Sequence, residues 1–345
     1  MTADPPLRVA MLTTYYPRHE DDFAGRFVSD LVGHLEALGV QFEVVRPGVY
    51  NDYGLAYGAG VVRNAKRRPW LIPLLLLSMA RELRRAARTA DLVHIHWLLA
   101  APLGLLTGKP WVVTLHGTPT ARAFEDLVLL RRATWLLGPV LRRAKAVICV
   151  SQVLTEAVAA LGANAVWIPN GTTIPPEVAP EAEPPELLFA GRMVEEKGIR
   201  ELAVAAEGLN LVVAGDGPLR HVLPQAKGLV PHTELEQLYR RAAIVVMPSH
   251  SEGQGVVAIE AMAHGRPVVG SRVGGLAELI VDGETGILVP PRDATALRAA
   301  LLRLLEDREL RTRMGTAGRR RIGELCSWDH VAPKVLATYR RAVAG

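Results

Sequence analysis

The sequence predicts an α/β protein of two doubly wound domains, each with a parallel sheet covered by helices on both faces. Three observations point to this class. The chain has 345 residues, which exceeds one ordinary core and suits two domains of about 150 residues each. Short apolar runs alternate with helical stretches in both halves, as in βα units. A proline-rich segment interrupts this alternation near the middle of the chain.

In the first half, short apolar runs predict parallel strands that are buried on both faces. These runs occupy residues 7–13, 40–45, 92–96, 111–115, 146–150 and 166–169. The stretch 27–38 has the apolar spacing of an amphipathic helix. We therefore expect a first domain over residues 1–171.

The middle of the chain predicts a linker, because residues 172–186 carry five prolines and several glutamates. Such a composition suits neither a helix nor a central strand. Apolar runs then resume, which predicts a second domain over residues 187–326. Its strands are expected at residues 187–190, 211–214, 244–247, 267–270 and 287–289.

The last segment, residues 327–345, is amphipathic and follows a second domain that is already complete. We expect it to pack back on the first domain. Doubly wound sheets bind ligands at the carboxyl ends of their strands. The ligand site is therefore expected in a central cleft where the two domains face each other.

Composition excludes several classes of protein. Hydrophobic residues make up 49% and charged residues 22% of the chain, which is a globular balance. Two cysteines form no disulfide framework and have no metal-ligand spacing. The amino terminus lacks the pattern of a secretory signal, and no apolar run reaches the roughly 20 residues of a membrane span. A cytoplasmic protein is expected.

The net charge of +5 is concentrated in the first half, around residues 63–88 and 131–145. Apolar residues at 70–79 and 135–141 interleave with these charges. Two interpretations remain open. The stretches form a basic face that rests on anionic lipid at the inner membrane surface, or they are solvated faces of ordinary amphipathic helices. No nucleic-acid partner is expected, because no reading motif accompanies the charges.

The most informative stretch is residues 248–275, where Glu252 and Glu260 flank a glycine-rich helix start. Free N–H groups at a helix amino terminus suit a diphosphate, and glycines allow close approach to the backbone. Glu260, one turn into the helix, is placed to take both hydroxyls of a ribose, and Glu252 to reach the other end of the ligand. The N–H groups are expected from Gln254, Gly255, Val256 and Val257.

These motifs, taken together, resemble glycosyltransferase family 4, the retaining transferases of the GT-B fold. The second half carries GRMVEEKG at 191–198, AGDGPLR at 214–220, LEQLYRRAAIVVMPS at 235–249, SEGQGVVAIEAMAHGRPVV at 251–269 and DGETGILVPP at 282–291. The first half carries the looser matches YYPRHEDDFAGRFVSDL at 15–31, DLVHIHW at 91–97, TLHG at 114–117 and IPNG at 168–171. The resemblance covers nearly the whole chain.

The resemblance implies roles for particular residues. Arg192 and Lys197 match the phosphate-binding pair, which would offset the negative charge that grows on a departing diphosphate. Glu252 would hold hydroxyls of the donor sugar, and Glu260 the ribose. His116 would act near the donor sugar and phosphate. The expected catalytic residues are thus Glu252, His116, Arg192 and Lys197.

Gly25 matches a glycine that lets the loop after the first strand approach the donor phosphates. This chain has Ala24 before it, where paired glycines are commoner. No Asp-x-Asp motif occurs, which fits a transferase without a divalent metal, and no cofactor is expected. His94 and His96 point the same way from one strand, and core packing or a cleft wall is favoured over metal binding.

The implied function is retaining, metal-independent transfer of a hexosyl unit from a UDP- or GDP-sugar to a hydroxyl acceptor. A lipid-linked or cell-envelope glycan is the preferred acceptor, and a small molecule stays open. The alternative is a sugar-nucleotide epimerase of the same fold. A nicotinamide-dependent dehydrogenase is disfavoured because the Gly-x-Gly-x-x-Gly fingerprint is missing after the first strand. A non-catalytic binder is disfavoured because the four charged residues of the donor site are all present.

Overall fold

The computed structural model describes residues 6–19, 22, 25–57, 61–117 and 134–345, without the side chains of residues 62 and 63. Ala24 and the basic residues at 131–132 lie outside this described part. The chain divides into two compact units. The first comprises Met1–Gly171 and Trp328–Gly345, and the second comprises Thr172–Ser327. Each unit contains one parallel sheet with helices, which confirms the predicted α/β class.

The first sheet has six parallel strands in the order β2-β1-β3-β4-β5-β6. They are β1 Arg8–Thr13, β2 Gln41–Val45, β3 Leu92–His96, β4 Trp111–Leu115, β5 Ala146–Cys149 and β6 Ala165–Trp167. All six strands lie within two residues of their predicted positions. The chain steps outward from β1 to β2 and then returns past β1 to β3, so the topological switch lies between β1 and β3.

The first unit contains five described helices before the second unit begins. They are α1 Arg26–Ala37, α2 Val61–Arg67, α3 Ile72–Ala87, α4 Thr134–Leu141 and α5 Gln152–Ala159. Helix α1 buries Val28, Leu31, Val32 and Leu35, which follow the helical spacing that predicts it.

The second sheet has five parallel strands in the order β11-β10-β9-β7-β8. They are β7 Leu187–Ala190, β8 Leu211–Ala214, β9 Ile244–Met247, β10 Val268–Ser271 and β11 Gly286–Val289. Its helices are α6 Ile199–Ala205, α7 His232–Arg241, α8 Val256–Ala263, α9 Gly274–Leu279, α10 Ala294–Glu306 and α11 Arg308–Cys326. The topological switch of this sheet lies between β7 and β9.

Residues 172–186 contain neither helix nor strand, and they belong to the second unit. Arginine side chains hold this segment along its length. Arg266 and Arg319 donate hydrogen bonds to its backbone carbonyls, and Arg311 forms an ion pair with Glu181 at 2.5 Å. The predicted linker is therefore a packed part of the second unit.

The C-terminal helix α12, Trp328–Ala344, belongs to the first unit. It buries Trp328, Val331, Val335 and Tyr339, whose spacing places them on one face. This face packs with α1 against one side of the first sheet. A side chain at Gly171 would overlap the Trp328 ring, so a glycine is required where the helix docks.

No helix in the described part of the chain is both long enough and apolar enough to cross a bilayer.

Candidate active site

Three loops converge at the carboxyl ends of neighbouring strands in the second unit. They follow β7, β8 and β9, and the switch between β7 and β9 lies among them. Ligands of doubly wound sheets bind at such a switch because the helices on either side diverge there. The predicted donor residues of the second unit lie on the loops after β7 and β9 and on the helix that follows β9.

Lys197 and Glu252 form an ion pair at this switch. Lys197 Nζ lies 2.5 Å from Glu252 Oε2, and the two side chains are only 16% and 9% exposed. The Ser249 hydroxyl donates to the same carboxylate oxygen at 3.2 Å. Two charges this far from water are tolerated only as a pair, since either one alone would carry an uncompensated desolvation cost. The structure thus joins two residues that are 55 positions apart.

His250 fixes the loop after β9 to the loop after β7. Its backbone N–H donates to the Glu196 carbonyl at 2.8 Å, and its ring Nε2 lies 2.9 Å from Glu201 Oε1. The backbone on either side of the ion pair is therefore cross-linked by hydrogen bonds. This arrangement holds Lys197 and Glu252 in register without relying on their flexible side chains.

Glycines allow the Glu252 loop to pack against backbone. The Gly275 N–H donates to the Glu252 carbonyl at 3.1 Å, and a side chain at Gly274 would overlap that same carbonyl oxygen. Gly255 has a positive φ of 91° and precedes the first residue of α8. These contacts fix the loop and the start of the helix together.

Helix α8 begins at Val256, as the sequence predicts. Gln254 and Gly255 precede it, and Val256 and Val257 are its first two residues. The N–H groups of a first helical turn have no acceptor within the helix. The dipole end and these N–H groups together suit an anion.

Glu260 lies in the second turn of α8 and pairs with a buried tyrosine. The Tyr239 hydroxyl donates to Glu260 Oε2 at 2.8 Å. Burial, and next the charge of Glu260, raise the pKa of Tyr239 well above its usual value, so the hydroxyl keeps its proton. Tyr239 lies within the LEQLYRRAAIVVMPS motif, but its hydrogen bond to Glu260 was not predicted, because an aromatic residue on an amphipathic helix indicates only core packing.

Arg192 lies two residues after the end of β7 and is exposed. Its loop is tied to the neighbouring loop after β8, because the Met193 N–H donates to the Asp216 carbonyl at 2.8 Å. A side chain at Gly217 would overlap the Met193 carbonyl. Arg192 therefore extends from a fixed backbone at the same sheet edge as Lys197.

Gly25 occupies the loop after β1 in the first unit, at the switch of that sheet. It has a φ of 72°, and a side chain there would overlap the backbone of Tyr15. In the structure, glycine is thus required at position 25 because the backbone there packs against the backbone of Tyr15. Gly25 also stands immediately before α1, whose N–H at Val28 donates to its carbonyl at 2.9 Å.

His116 follows β4 and lies at one end of a row of histidines. Its Nε2 lies 3.0 Å from His96 Nδ1, and His96 Nε2 lies 3.2 Å from His94 Nδ1. We call His94, His96 and His116 the histidine chain. Burial lowers the pKa of His94 to about 3 and that of His116 to about 4, and a side-chain hydrogen bond with Asn170 acts on His116 in the opposite direction. The histidine chain is therefore neutral near pH 7.

A small pocket in the first unit adjoins the histidine chain. His96 and His116 line it, together with Phe27, Asn170 and Trp328. His116 was expected at the site from the sequence, but its contact with His96 was not predicted, nor were the hydroxyls of Thr114 and Tyr339 beside His94. In the part of the chain that the structure describes, no group of three or more His, Cys, Asp or Glu side chains could hold a metal ion.

Two family models and several known proteins are similar to this chain. Residues 24–174 match the model of Glycosyltransferase Family 4, and residues 171–321 match that of Glycosyl transferases group 1. Glycogen synthase of Mycobacterium tuberculosis is 33% identical over 289 residues, which cover 74% of this chain and 70% of that protein.

Two solved structures show the same fold. Sucrose-phosphate synthase from Thermosynechococcus elongatus superimposes with a TM-score of 0.79 at 24% identity, covering 98% of this chain and 99% of that one. HepE from Anabaena, in complex with UDP-glucose, has a TM-score of 0.72 at 19% identity, covering 97% and 99%. The fold is GT-B, and the chain belongs to glycosyltransferase family 4.

Proposed function

We propose that this glycosyltransferase moves a hexosyl unit from a nucleotide-diphosphate sugar to a hydroxyl acceptor, with retention of anomeric configuration and without a metal ion. The observation that carries the proposal is the nearly buried pair of Lys197 and Glu252 at the switch of the second sheet. It sets a cation for phosphate and an acceptor for sugar hydroxyls at one point. A purely structural pair needs no glycine-rich helix start beside it.

The donor is assigned to the loops of the second unit. The first turn of α8, with Arg192 and Lys197, would bind the diphosphate and offset its growing charge as it departs. Glu260, oriented by Tyr239, would hold the ribose hydroxyls, and Glu252 the hydroxyls of the sugar. Because HepE was solved with UDP-glucose, we choose that donor for the first test and a GDP-sugar for the second.

The proposed reaction takes place on one face of the sugar. The bond between the anomeric carbon and the diphosphate oxygen breaks, and the acceptor oxygen bonds to that carbon from the same side. The acceptor proton passes to an oxygen of the leaving phosphate, so no enzymic nucleophile is required. His116 is assigned a hydrogen bond to a hydroxyl of the bound sugar. Isolation of a covalent glycosyl–enzyme adduct would contradict this course.

The acceptor is proposed to be a lipid-linked or cell-envelope glycan, reached by a cytoplasmic protein that attaches peripherally to the inner membrane face. The support is a pair of exposed apolar side chains: Trp70, in the turn just before α3, is 67% exposed, and Leu77, within α3, is 68% exposed. Farther along the same helix Arg81 and Arg84 are exposed, and Arg88, just after its last residue, is exposed as well. Apolar side chains followed by cations match the acyl boundary and the anionic headgroups of a bilayer.

Vesicle sedimentation tests the membrane proposal. Vesicles rich in phosphatidylglycerol should bind the protein, and Trp70→Ala with Leu77→Ala should reduce the bound fraction severalfold. Vesicles of phosphatidylcholine alone serve as the charge control. Val204 is also exposed, at 61%, but belongs to the second unit, so Val204→Ala is the matched apolar control. Equal binding to neutral and anionic vesicles would contradict the proposal.

A thermal-shift panel of nucleoside diphosphates and their sugars tests the donor assignment. A ligand at 100 times its Kd should stabilise the fold by about 2.7 kcal/mol. The shift should shrink in Glu260→Ala and persist in Glu236→Ala, whose carboxylate lies in an exposed pair with Arg240. Absence of any shift at millimolar nucleotide would refute the donor site.

Product analysis separates the transferase from the alternative epimerase. The proposed enzyme consumes the donor only when a hydroxyl acceptor is supplied, apart from slow hydrolysis. An epimerase would convert the sugar nucleotide to its epimer with no acceptor present. Appearance of an epimeric sugar nucleotide would therefore overturn the proposed transfer.

A further inference from the structure

Arg266 is a buried arginine whose side chain contacts both a helix end and the predicted linker. The residue is 5% exposed, and it lies just after α8. Its Nε donates to the Tyr239 carbonyl at 3.1 Å, and its Nη2 donates to the carbonyls of Arg240 at 2.6 Å and Ala179 at 2.5 Å. One guanidinium group thus connects the end of α7 to the predicted linker.

The last turn of α7 needs these donors. The final carbonyl groups of a helix have no N–H partners within it. In α7 these are the carbonyls of residues 239–241, because the N–H groups four residues later donate outside the helix. Arg266 supplies the donors for the first two, and the N–H of Ala182, in the predicted linker, donates to the Arg241 carbonyl at 2.8 Å. The end of α7 is therefore capped from outside the helix.

Tyr239 is held at both ends by α8 and the turn that follows it. Its carbonyl accepts from Arg266, and its hydroxyl donates to Glu260 Oε2 at 2.8 Å. Its ring stacks on His264, with 5.6 Å between the centroids and 20° between the planes. The tyrosine is 2% exposed, so its ring cannot turn away without disturbing close-packed neighbours. The position of the Tyr239 hydroxyl therefore depends on where Arg266 holds the backbone.

The charge of Arg266 is stabilised from two sides. Burial lowers the pKa of Arg266, and the carboxylate of Glu181 in the predicted linker acts in the opposite direction. The carbonyls at the end of α7 form the negative end of the helix dipole, which also favours a cation. An apolar side chain of similar length would offer neither donors nor charge, and the buried carbonyls would lose their partners.

We propose that Arg266 is a positioning residue that holds Tyr239 against Glu260 and thereby sets the affinity of the donor site for the ribose of the nucleotide. The part played by the ribose rests on the proposed function, in which Glu260 binds the ribose hydroxyls. The path from Arg266 through Tyr239 to Glu260 does not, because it lies within the second unit and needs no ligand.

Calorimetric binding of UDP and of 2′-deoxy-UDP tests the proposal. A hydroxyl that donates to a carboxylate should make wild type bind UDP about tenfold or more tightly than 2′-deoxy-UDP. Arg266→Met keeps the apolar stem and loses the donors, and it should reduce this ratio severalfold. Glu260→Ala should reduce the ratio to about one. Inorganic pyrophosphate, which has no ribose, should bind wild type and Arg266→Met equally.

Arg311→Met is the matched control. Arg311 is also buried, donates to the carbonyls of Leu304 and Leu305 at the end of α10, and pairs with Glu181 of the predicted linker. Its loss should lower the melting temperature and leave the ratio of the two affinities unchanged. Arg266→Lys keeps the charge but not the planar fork. It should reduce the ratio less than Arg266→Met does, and it decides the test if the methionine variant fails to fold.

An unchanged ratio in the Arg266 variants would overturn the proposal, as would an equal reduction in Arg311→Met. Carbon-13 NMR of tyrosine-labelled full-length protein adds a readout without ligand, with Tyr239→Phe identifying the Tyr239 Cζ signal. Arg266→Met should shift this signal, because the hydrogen bond to Glu260 changes, and Arg311→Met should not. A Tyr239 signal that Arg266→Met leaves in place would refute the positioning role.

A failure of the proposed function has a different signature. If wild type binds neither UDP nor GDP, the role at the ribose fails together with the donor assignment, and the Tyr239 signal still shows whether Arg266 holds the tyrosine. If wild type and Arg266→Met prefer UDP over 2′-deoxy-UDP by the same factor, the donor site stands and the role of Arg266 is refuted.

Discussion

The two units each place polar side chains at the carboxyl ends of a parallel sheet, but they stabilise them differently. In the second unit, Lys197 and Glu252 carry opposite charges and neutralise each other at 2.5 Å. In the first unit, the histidine chain is neutral and consists of donors and acceptors in series. A buried charge requires a counter-charge, whereas a neutral chain requires only a consistent direction of protons.

The largest effect is expected from Lys197→Met, which removes the counter-charge and keeps most of the side-chain volume. Glu252 is then an unpaired, largely buried carboxylate, so the free energy of unfolding should fall by about 4 kcal/mol. Turnover should fall roughly 100-fold or more, because the cation for the departing diphosphate is lost. Denaturant unfolding and initial-rate assays measure the two effects.

Arg200→Met is the matched control for that experiment. Its pair with Glu195 is 58% and 56% exposed, so the expected cost is below about 0.5 kcal/mol. The double variant Lys197→Met, Glu252→Gln should regain much of the stability and none of the turnover. Equal turnover in Lys197→Met and wild type would show that the charged pair is not part of the active site.

The next largest effect concerns the backbone that carries the ion pair. Gly274→Ala puts a methyl group on the Glu252 carbonyl, and we expect it to lower the free energy of unfolding by about 3 kcal/mol. Gly283→Ala is the control, because Gly283 also has a positive φ but open space around it. It should cost only about 1 kcal/mol. Similar losses in the two variants would show that the contact with Glu252 is unimportant.

The strands of both units could be predicted from sequence because parallel strands buried on two faces read as apolar runs. The same holds for the Glu252 loop and α8, whose glycines and glutamates are local in sequence. The partner of His94 could not be predicted, since Tyr339 reads as one more apolar position on α12. Nor could the docking of residues 172–186, whose prolines indicate only that no helix forms.

The neutral histidine chain of the first unit predicts that the stability of the protein depends on pH. The folded-state pKa values of His94 and His116, about 3 and about 4, lie below the unfolded value of about 6.5. Below pH 6.5 the unfolded chain binds protons that the folded chain does not, so stability falls as the pH falls and the loss is complete near the folded values.

Between pH 7 and pH 5.5 each such histidine should lower the free energy of unfolding by about 1.2 kcal/mol, so His94 and His116 together should lower it by about 2.5 kcal/mol. Urea unfolding at the two pH values measures the drop, and His94→Gln should reduce it. The second unit adds one histidine of this kind, His264, whose pKa burial lowers to about 4. A stability that is flat across this range would contradict a neutral histidine chain.

The smallest expected effect is a difference in unfolding free energy between two variants, each of which loses the hydroxyl of one buried tyrosine. Tyr239 donates to the Glu260 carboxylate and Tyr339 to a neutral imidazole. Hydrogen bonds to charged groups contribute about 1.5–3 kcal/mol and those between neutral groups about 1 kcal/mol. Tyr239→Phe should therefore lower the free energy of unfolding by about 1 kcal/mol more than Tyr339→Phe does.

Urea unfolding of the two phenylalanine variants at pH 7 provides the comparison, because each loses one hydroxyl and keeps its ring. Only Tyr239→Phe should also weaken the thermal shift by UDP, since it releases the carboxylate assigned to the ribose. Equal losses of stability would mean that the hydrogen bond from Tyr239 to the Glu260 carboxylate contributes no more than the one from Tyr339 to a neutral ring nitrogen. The distinction between a charged and a neutral site would then rest on Lys197 and Glu252 alone.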